Sequence, residues 1–150
     1  MKKPETASIL RAGISRSIIR THTAFRLRLL HVFLQEKIEI SVDMYFILRY
    51  LWGERDGCRQ QELADKTDKD KASLTKLLDN LEKKNLVKRA ADEADRRSKR
   101  VWLTASGRKL KDRVYPLALS VMEMAEQGIT RQEILYAQAV LEKVYNNIRR

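Results

Sequence analysis

Between Asp70 and Asn85, the residues Leu74, Leu77, Leu78 and Leu81 stand at positions i, i+3, i+4 and i+7, a spacing that gathers apolar side chains on one face of an α-helix. Asp70 stands where such a helix takes its N-cap, and Asn85 lies just past its end, where Asn tolerates the left-handed C′ conformation. With the leucines turned to a core, an advance of about 100° per residue puts Ala72, Ser73, Lys76, Asn80 and Lys83 on or near the opposite side, with Thr75 on the shoulder. Small and hydrogen-bonding groups near a helix start allow close approach to base edges in a DNA major groove. On periodicity alone, the same face reads equally well as a solvated helix surface.

The chain around this helix has 150 residues, 43% of them apolar, which is enough for one domain and its core. Five Gly and two Pro against 34% charged residues favour helices and leave an all-β fold without its turns. The formal net charge is +11, and cutting the chain after residues 65 and 113 gives parts of +3, +8 and 0. A basic excess favours a polyanionic partner, and here it is concentrated around the leucine helix. Cys58, the single cysteine, has no internal disulfide partner, which fits a reducing cytoplasm. Lys2 and Lys3 precede no apolar run of a secretory signal. The longest uncharged stretch, Val114 to Met122, contains Pro116 and falls far short of the roughly 20 apolar residues a membrane span needs. A soluble, cytoplasmic protein without membrane contact is expected.

From Ile9 to about Leu34, Ile14, Ile18, Phe25, Leu29 and Phe33 form the stripe of a long amphipathic helix, which needs a partner to cover it. Ser41 is placed to cap a second helix burying Tyr45, Leu48, Leu51 and Trp52, with Gly53 and Gly57 marking its end and a loop. Gln60 to Lys66 forms a short helix around Leu63 and Ala64. Beyond Asn85, Leu86–Arg89 and Lys99–Leu103 carry strand patterns on either side of a charged segment, Ala90 to Ser98, with no required fixed fold. Thr104 caps a helix that runs toward Gln127, with a kink at Pro116 and a stop at Gly128. Thr130 and Glu133 form a capping box for a last helix through Ile134, Leu141, Val144 and Ile148. The expected fold class is mainly α with a small two-stranded wing (α+β), a winged helix-turn-helix flanked by outer helices.

The hairpin tip carries Asp95, Arg96 and Arg97, followed by Lys99 and Arg100. It is a protrusion narrow enough for a minor groove, whose negative potential attracts arginine. The plain alternative is a mobile, solvated charge run in which Asp92, Glu93 and Asp95 merely neutralise their neighbours.

The ordered set Gln61-Glu62-Leu63-Ala64, Asp70 through Glu82, Leu86-Val87-Lys88-Arg89, Asp95-Arg96-Arg97 and Leu103-Thr104-Ala105-Ser106-Gly107 resembles the MarR family of bacterial transcriptional regulators. The motif spans Gln60 to Arg113, and the flanking helix pattern extends the likeness over nearly the whole chain. The resemblance implies a homodimer and a dimeric repressor acting on double-stranded DNA. Residues 1–36 and 114–150 would form a helical dimerisation region, and residues 37–113 a winged helix-turn-helix lobe, two of which bind a pseudo-palindromic operator. By position it implies that Ser73, Thr75 and Lys76, with Ala72 and Asn80 beside them, face the major groove. Arg97, buttressed by Asp95 and flanked by Arg96 and Lys99, would enter the minor groove.

Two departures stand out. The turn that in the family is apolar, glycine, apolar is Thr67, Asp68 and Lys69 here, and Asn85 replaces a usual glycine. Asp and Asn both tolerate left-handed backbone. Lys69, at a place usually apolar, is read together with Lys71 as a phosphate contact.

Members of the family respond to phenolic ligands, oxidants or metals. The family's thiol sensors carry their cysteine early in the first helix, whereas Cys58 sits in a later loop and reads better as a small buried hydrophobe. His22 and His31, the only histidines, lie nine residues apart on one helix and point to nearly opposite sides, so no metal site and no cofactor are expected. A small-molecule effector pocket would draw on His31, Tyr45, Arg49 and Trp52, residues whose alternative reading is core and interface packing. No phosphate loop, nucleophile motif or paired-carboxylate pattern supports an enzyme. The competing functions are non-specific binding of RNA or DNA by charge, and a degenerate winged helix acting as a protein adaptor.

Overall fold

A computed structural model describes residues 4–53 and 56–149, with side chains described from Gly13 onward. The predicted opening of the first helix at the Ile9 side chain, and Lys2 and Lys3, lie outside the described residues. The elements run α1 (Pro4–Gln35), α2 (Val42–Gly53), β1 (Cys58–Arg59), α3 (Gln60–Lys66), α4 (Lys71–Lys83), β2 (Val87–Ala91), β3 (Lys99–Leu103), α5 (Ala105–Glu126) and α6 (Arg131–Ile148).

The expected caps are in place. Ser41 Oγ accepts from the Met44 amide, Asp70 from Ser73, and Thr104 from Gly107. Thr130 and Glu133 close their box in both directions. Asp68 and Asn85 both adopt positive φ, 51° and 55°, so the two departures from glycine sit in left-handed turns that Asp and Asn tolerate. The α5 helix continues through Pro116 without a break.

The wing has three strands rather than two. Its order is β1-β3-β2, all antiparallel, with Cys58 opposite Val101 and Val87 opposite Leu103. The two-residue β1 was missed because strand patterns need several alternating residues to show. Gly57, at φ 84°, leads into it with the Trp102 ring lying where a Cβ would stand.

The core is built around α2, whose Tyr45, Ile47, Leu48 and Leu51 are buried. Leu74, Leu78 and Leu81 of α4 meet it from one side, and Leu29, Phe33, Val114 and Ala118 of α1 and α5 from the other. Phe33 and Tyr45 meet edge to face at 5.6 Å. Gly107 allows α5 to start close against the strand entry, since a Cβ there would lie 2.0 Å from the Leu86 carbonyl oxygen. The Trp52 indole N–H donates to the Gly107 carbonyl at 2.9 Å, tying α2 to the same place.

The apolar stripe of α1 changes character along its length: Leu29 and Phe33 are buried, whereas Ile14 and Ile18 are exposed. On α6, Leu135, Tyr136, Leu141 and Ile148 are all exposed, and no described residue of that helix is buried.

Candidate nucleic-acid interface

The α3–turn–α4 unit presents the first turn of α4 outward. Asp70 accepts the Ser73 amide at 2.9 Å with one carboxylate oxygen and the Ser73 hydroxyl at 2.6 Å with the other. The bonds from Ser73 hold the Asp70 carboxyl below its usual range. Lys71, Ala72, Ser73 and Lys76 are exposed, while Thr75 and Asn80 are half-buried. The Thr75 hydroxyl donates to the Lys71 carbonyl at 2.8 Å and accepts from Gln60 Nε2 of α3 at 3.3 Å.

The wing is organised by carboxylates. Asp92, 2% exposed, accepts from Arg59 at 2.8 Å, from Arg100 at 3.1 Å and from the Ala94 amide at 3.0 Å. The Ala94 amide, followed by Arg59, holds the Asp92 carboxyl below its ordinary value. Arg100 also donates to the Gly57 carbonyl, so both arginines at the wing base are engaged. Asp95 accepts from the backbone N–H of Arg97 at 3.1 Å, and the Ser98 amide donates to the Asp95 carbonyl. The tip is therefore a folded turn, and the expected Asp95 buttress acts on the backbone of Arg97 rather than on its guanidinium. Arg96, Arg97 and Lys99 are exposed, and among the described residues none of them has an ion-pair partner.

A third carboxylate group joins the wing to α4. Arg89 of β2, with only 14% of its side chain exposed, bridges Asp79 and Glu82 of α4. The Arg89 hydrogen bond is the largest influence lowering Glu82. Between α3, α4 and the wing lies a concavity of about 380 Å³, lined by Gln60, Lys71, Thr75, Arg89, Arg97 and Lys99.

Lys69 behaves differently from its sequence reading. Its ammonium donates to Asp43 at 2.6 Å, and Asp43 also receives a two-pronged bond from Arg26 of α1, at 2.8 and 3.2 Å. The turn of the helix-turn-helix is thereby strapped to α1 and α2, and the Tyr145 hydroxyl of α6 adds a 2.7 Å bond to Asp68 of the same turn. Beside this strap opens a cleft of about 820 Å³ that includes Arg49 and Trp52, with His22, Arg26, Lys111 and Tyr115. His31 is exposed outside the cleft and Tyr45 belongs to the core, so two of the four residues expected at an effector pocket do not line it.

Cys58 is buried on β1, and burial pushes its thiol up to about 11, the opposite of a reactive thiolate. Among the described residues, no three His, Cys, Asp or Glu side chains are placed to hold a metal ion. No helix of the described residues is long and apolar enough to cross a membrane.

Sequence reasoning named Asp92 only as a carboxylate neutralising its neighbours in a mobile run, missing its place at the wing base, and it missed Arg89, Asp43 and Gln60. The hairpin register carried a signal for that place: pairing Ala90 with Arg100 brings Asp92, two residues on, close to that arginine. Asp43 meets residues 17 and 26 positions away, and neither separation follows from a helical pattern.

A helix-turn-helix, a wing with exposed arginines and an ion-paired frame between them define a winged helix-turn-helix protein. The sequence profile of the MarR family matches residues 40–99. The chain is 32% identical over 131 residues to the transcriptional regulator HosA of Escherichia coli O111:H-, covering 87% of this chain and 91% of that one. The crystal structure of a MarR family regulator from Silicibacter pomeroyi matches with a TM-score of 0.72 at 29% identity, over 88% of this chain and 87% of that chain. The structure of reduced AbfR bound to DNA shares the fold, with a TM-score of 0.79 at 21% identity over 96% of each chain. The chain belongs to the MarR family: it is a DNA-binding transcriptional regulator and not an enzyme.

Proposed function

We propose that the protein is a homodimeric repressor that binds a pseudo-palindromic operator with two winged-helix lobes. The observation that carries this reading is how the basic residues divide. Arg59, Arg89, Arg100 and Arg108 are bound to carboxylates within the fold, whereas Lys71 and Lys76 on α4 and Arg96, Arg97 and Lys99 on the wing are exposed and unpaired among the described residues. Paired cations hold the frame, and free ones are left to meet phosphates and base edges.

In this reading α4 enters the major groove with Ala72, Ser73, Thr75, Lys76 and Asn80, and Arg97 reaches the minor groove with Arg96 and Lys99 beside it. Lys71 contacts a phosphate, while Lys69 is already held by Asp43 and serves the turn instead. Residues 1–36 and 114–150 form the dimerisation region. The exposed Ile14 and Ile19 of α1, Leu119 and Met122 of α5, and Tyr136 and Leu141 of α6 supply an apolar surface too large to leave wet. A twofold dimer explains why the operator should be close to palindromic. The cleft beside Asp43 provides a place for a small-molecule effector, with cations and rings together; CouR, a structural neighbour, has been solved with p-coumaroyl-CoA.

The test is fluorescence anisotropy on duplexes tiled upstream of the protein's own gene, against a scrambled duplex at several salt concentrations. One segment of about 16 to 20 base pairs should bind tightly at physiological salt. Arg97→Ala should weaken that binding roughly tenfold and leave the sedimentation behaviour of the dimer unchanged. Equal, salt-labile binding to every duplex, there and in a genome-wide selection, would refute the operator reading.

A further inference from the structure

The outward face of α4 carries two hydroxyls, and each has committed its only proton inside the protein. Ser73 gives its proton to Asp70 Oδ2 at 2.6 Å, and Thr75 gives its proton to the Lys71 carbonyl at 2.8 Å. A hydroxyl has one O–H and two lone pairs, so both residues can still accept a hydrogen bond but have none to donate. Because the Thr75 proton is spent on the helix backbone, the Gln60 atom facing it at 3.3 Å must be the donor Nε2. The Gln60 Oε1 atom is buried without a partner, so turning the amide over would orphan Nε2 in the same place.

These commitments restrict what α4 can recognise. Guanine shows only acceptors, N7 and O6, at the centre of its major-groove edge and needs a donor. Neither Ser73 nor Thr75 can supply one without breaking an internal bond, in the first case the hydroxyl bond to the capping residue Asp70. Lys76, exposed and without an ion-pair partner among the described residues, is a pure donor. Thr75 Oγ has spent its proton on Lys71 and one lone pair on Gln60, so toward thymine, whose O4 needs a donor, what the half-buried side chain can offer is its methyl group, a partner for the C5-methyl.

We infer that Thr75 recognises a thymine methyl in each half-site and that guanine recognition on this face falls to Lys76. The inference rests on α4 being the major-groove helix, as proposed above, and goes further by naming the base each side chain selects.

The experiment begins with the wild-type protein and a randomised duplex pool, from which the preferred sequence is selected. Each thymine of the selected duplex is then replaced singly by deoxyuridine, which removes the C5-methyl and nothing else, and binding is followed by anisotropy. One replacement in each half-site should weaken wild-type binding about fourfold, the scale of one buried methyl group. Thr75→Val should keep both the affinity, within about twofold, and the uracil sensitivity. Thr75→Ser should lose the sensitivity. A selected site whose thymines are all insensitive to uracil, or one with no thymine in the half-sites, overturns the inference even if no variant folds. So does a Thr75→Val protein of unchanged helicity and dimerisation that binds more than tenfold weaker. If the pool yields no preferred sequence, the operator reading falls with it; a preferred but uracil-insensitive sequence removes only the assignment of Thr75.

Discussion

Replacing Asp43 with Asn tests whether the strap on the helix-turn-helix holds the fold as the geometry implies. Asp43 receives Arg26 of α1 and Lys69 of the turn, with about 30% of each of the three side chains exposed. The Arg26 hydrogen bond is the largest influence, burial opposes it and Lys69 reinforces it, so that the carboxyl is lowered from 3.8 to about 2. At 1.36 kcal/mol per unit, the charged form contributes about 2 kcal/mol to folding. For a chain of this size that is a fall in Tm of roughly 4–8 °C for Asp43→Asn at pH 7. The pH dependence follows from the sign of the shift. A carboxylate with a depressed folded pKa stabilises fully above its unfolded value, near 4, and loses that contribution as pH falls toward about 2. Urea unfolding of wild type and Asp43→Asn should therefore show a constant gap from pH 7 to pH 5 that closes as the pH is lowered from 4. A gap absent at pH 7, or undiminished at the lowest pH where both proteins still fold, would refute the reasoning.

Two further outcomes are expected. Gly107→Ala should lower stability by about 2 kcal/mol or more, since its Cβ would meet the Leu86 carbonyl oxygen at 2.0 Å and dislodge the Trp52 bond; an unchanged midpoint in chemical unfolding would contradict the close approach. Cys58, buried and with its thiol pushed up to about 11, should resist iodoacetamide at pH 8 in the native protein and label in denaturant, and rapid native labelling would reverse the assignment of Cys58 as structural.

The elements legible in the sequence were those whose signal is local. Leu74, Leu78 and Leu81 announce α4 because helical spacing and burial coincide there, and Asp70, Thr104 and Thr130 announce helix starts because a cap acts within three residues. Asp68 and Asn85 were legible as left-handed turns for the same reason. The missed features depend on distant partners. The two residues of β1 become a strand only because Val101 and Arg100 lie opposite them, more than forty positions along the chain. Lys69 looked like a free cation because Asp43, 26 residues earlier, comes to it only through the packing of α2 against the helix-turn-helix.

The same distinction governs the charges. The middle segment carries +8, and a count of that kind sums two populations with opposite roles. Arg89, half-buried, is held by Asp79 and Glu82 and so fixes the wing against α4, whereas Arg100, also half-buried, is held by Asp92 and the Gly57 carbonyl at the base of the wing. Arg97 has its backbone, not its guanidinium, held by Asp95, which orders the tip while leaving the charge free. Charge-neutralising Arg89 should therefore loosen the angle between wing and helix, and neutralising Arg100 the base of the wing. In the proposed complex, neutralising Arg97 should remove one contact from an otherwise intact surface. The mutational difference between frame and interface follows from which cations the carboxylates have already taken, and this depends on the register of β2 against β3 as much as on the residues themselves.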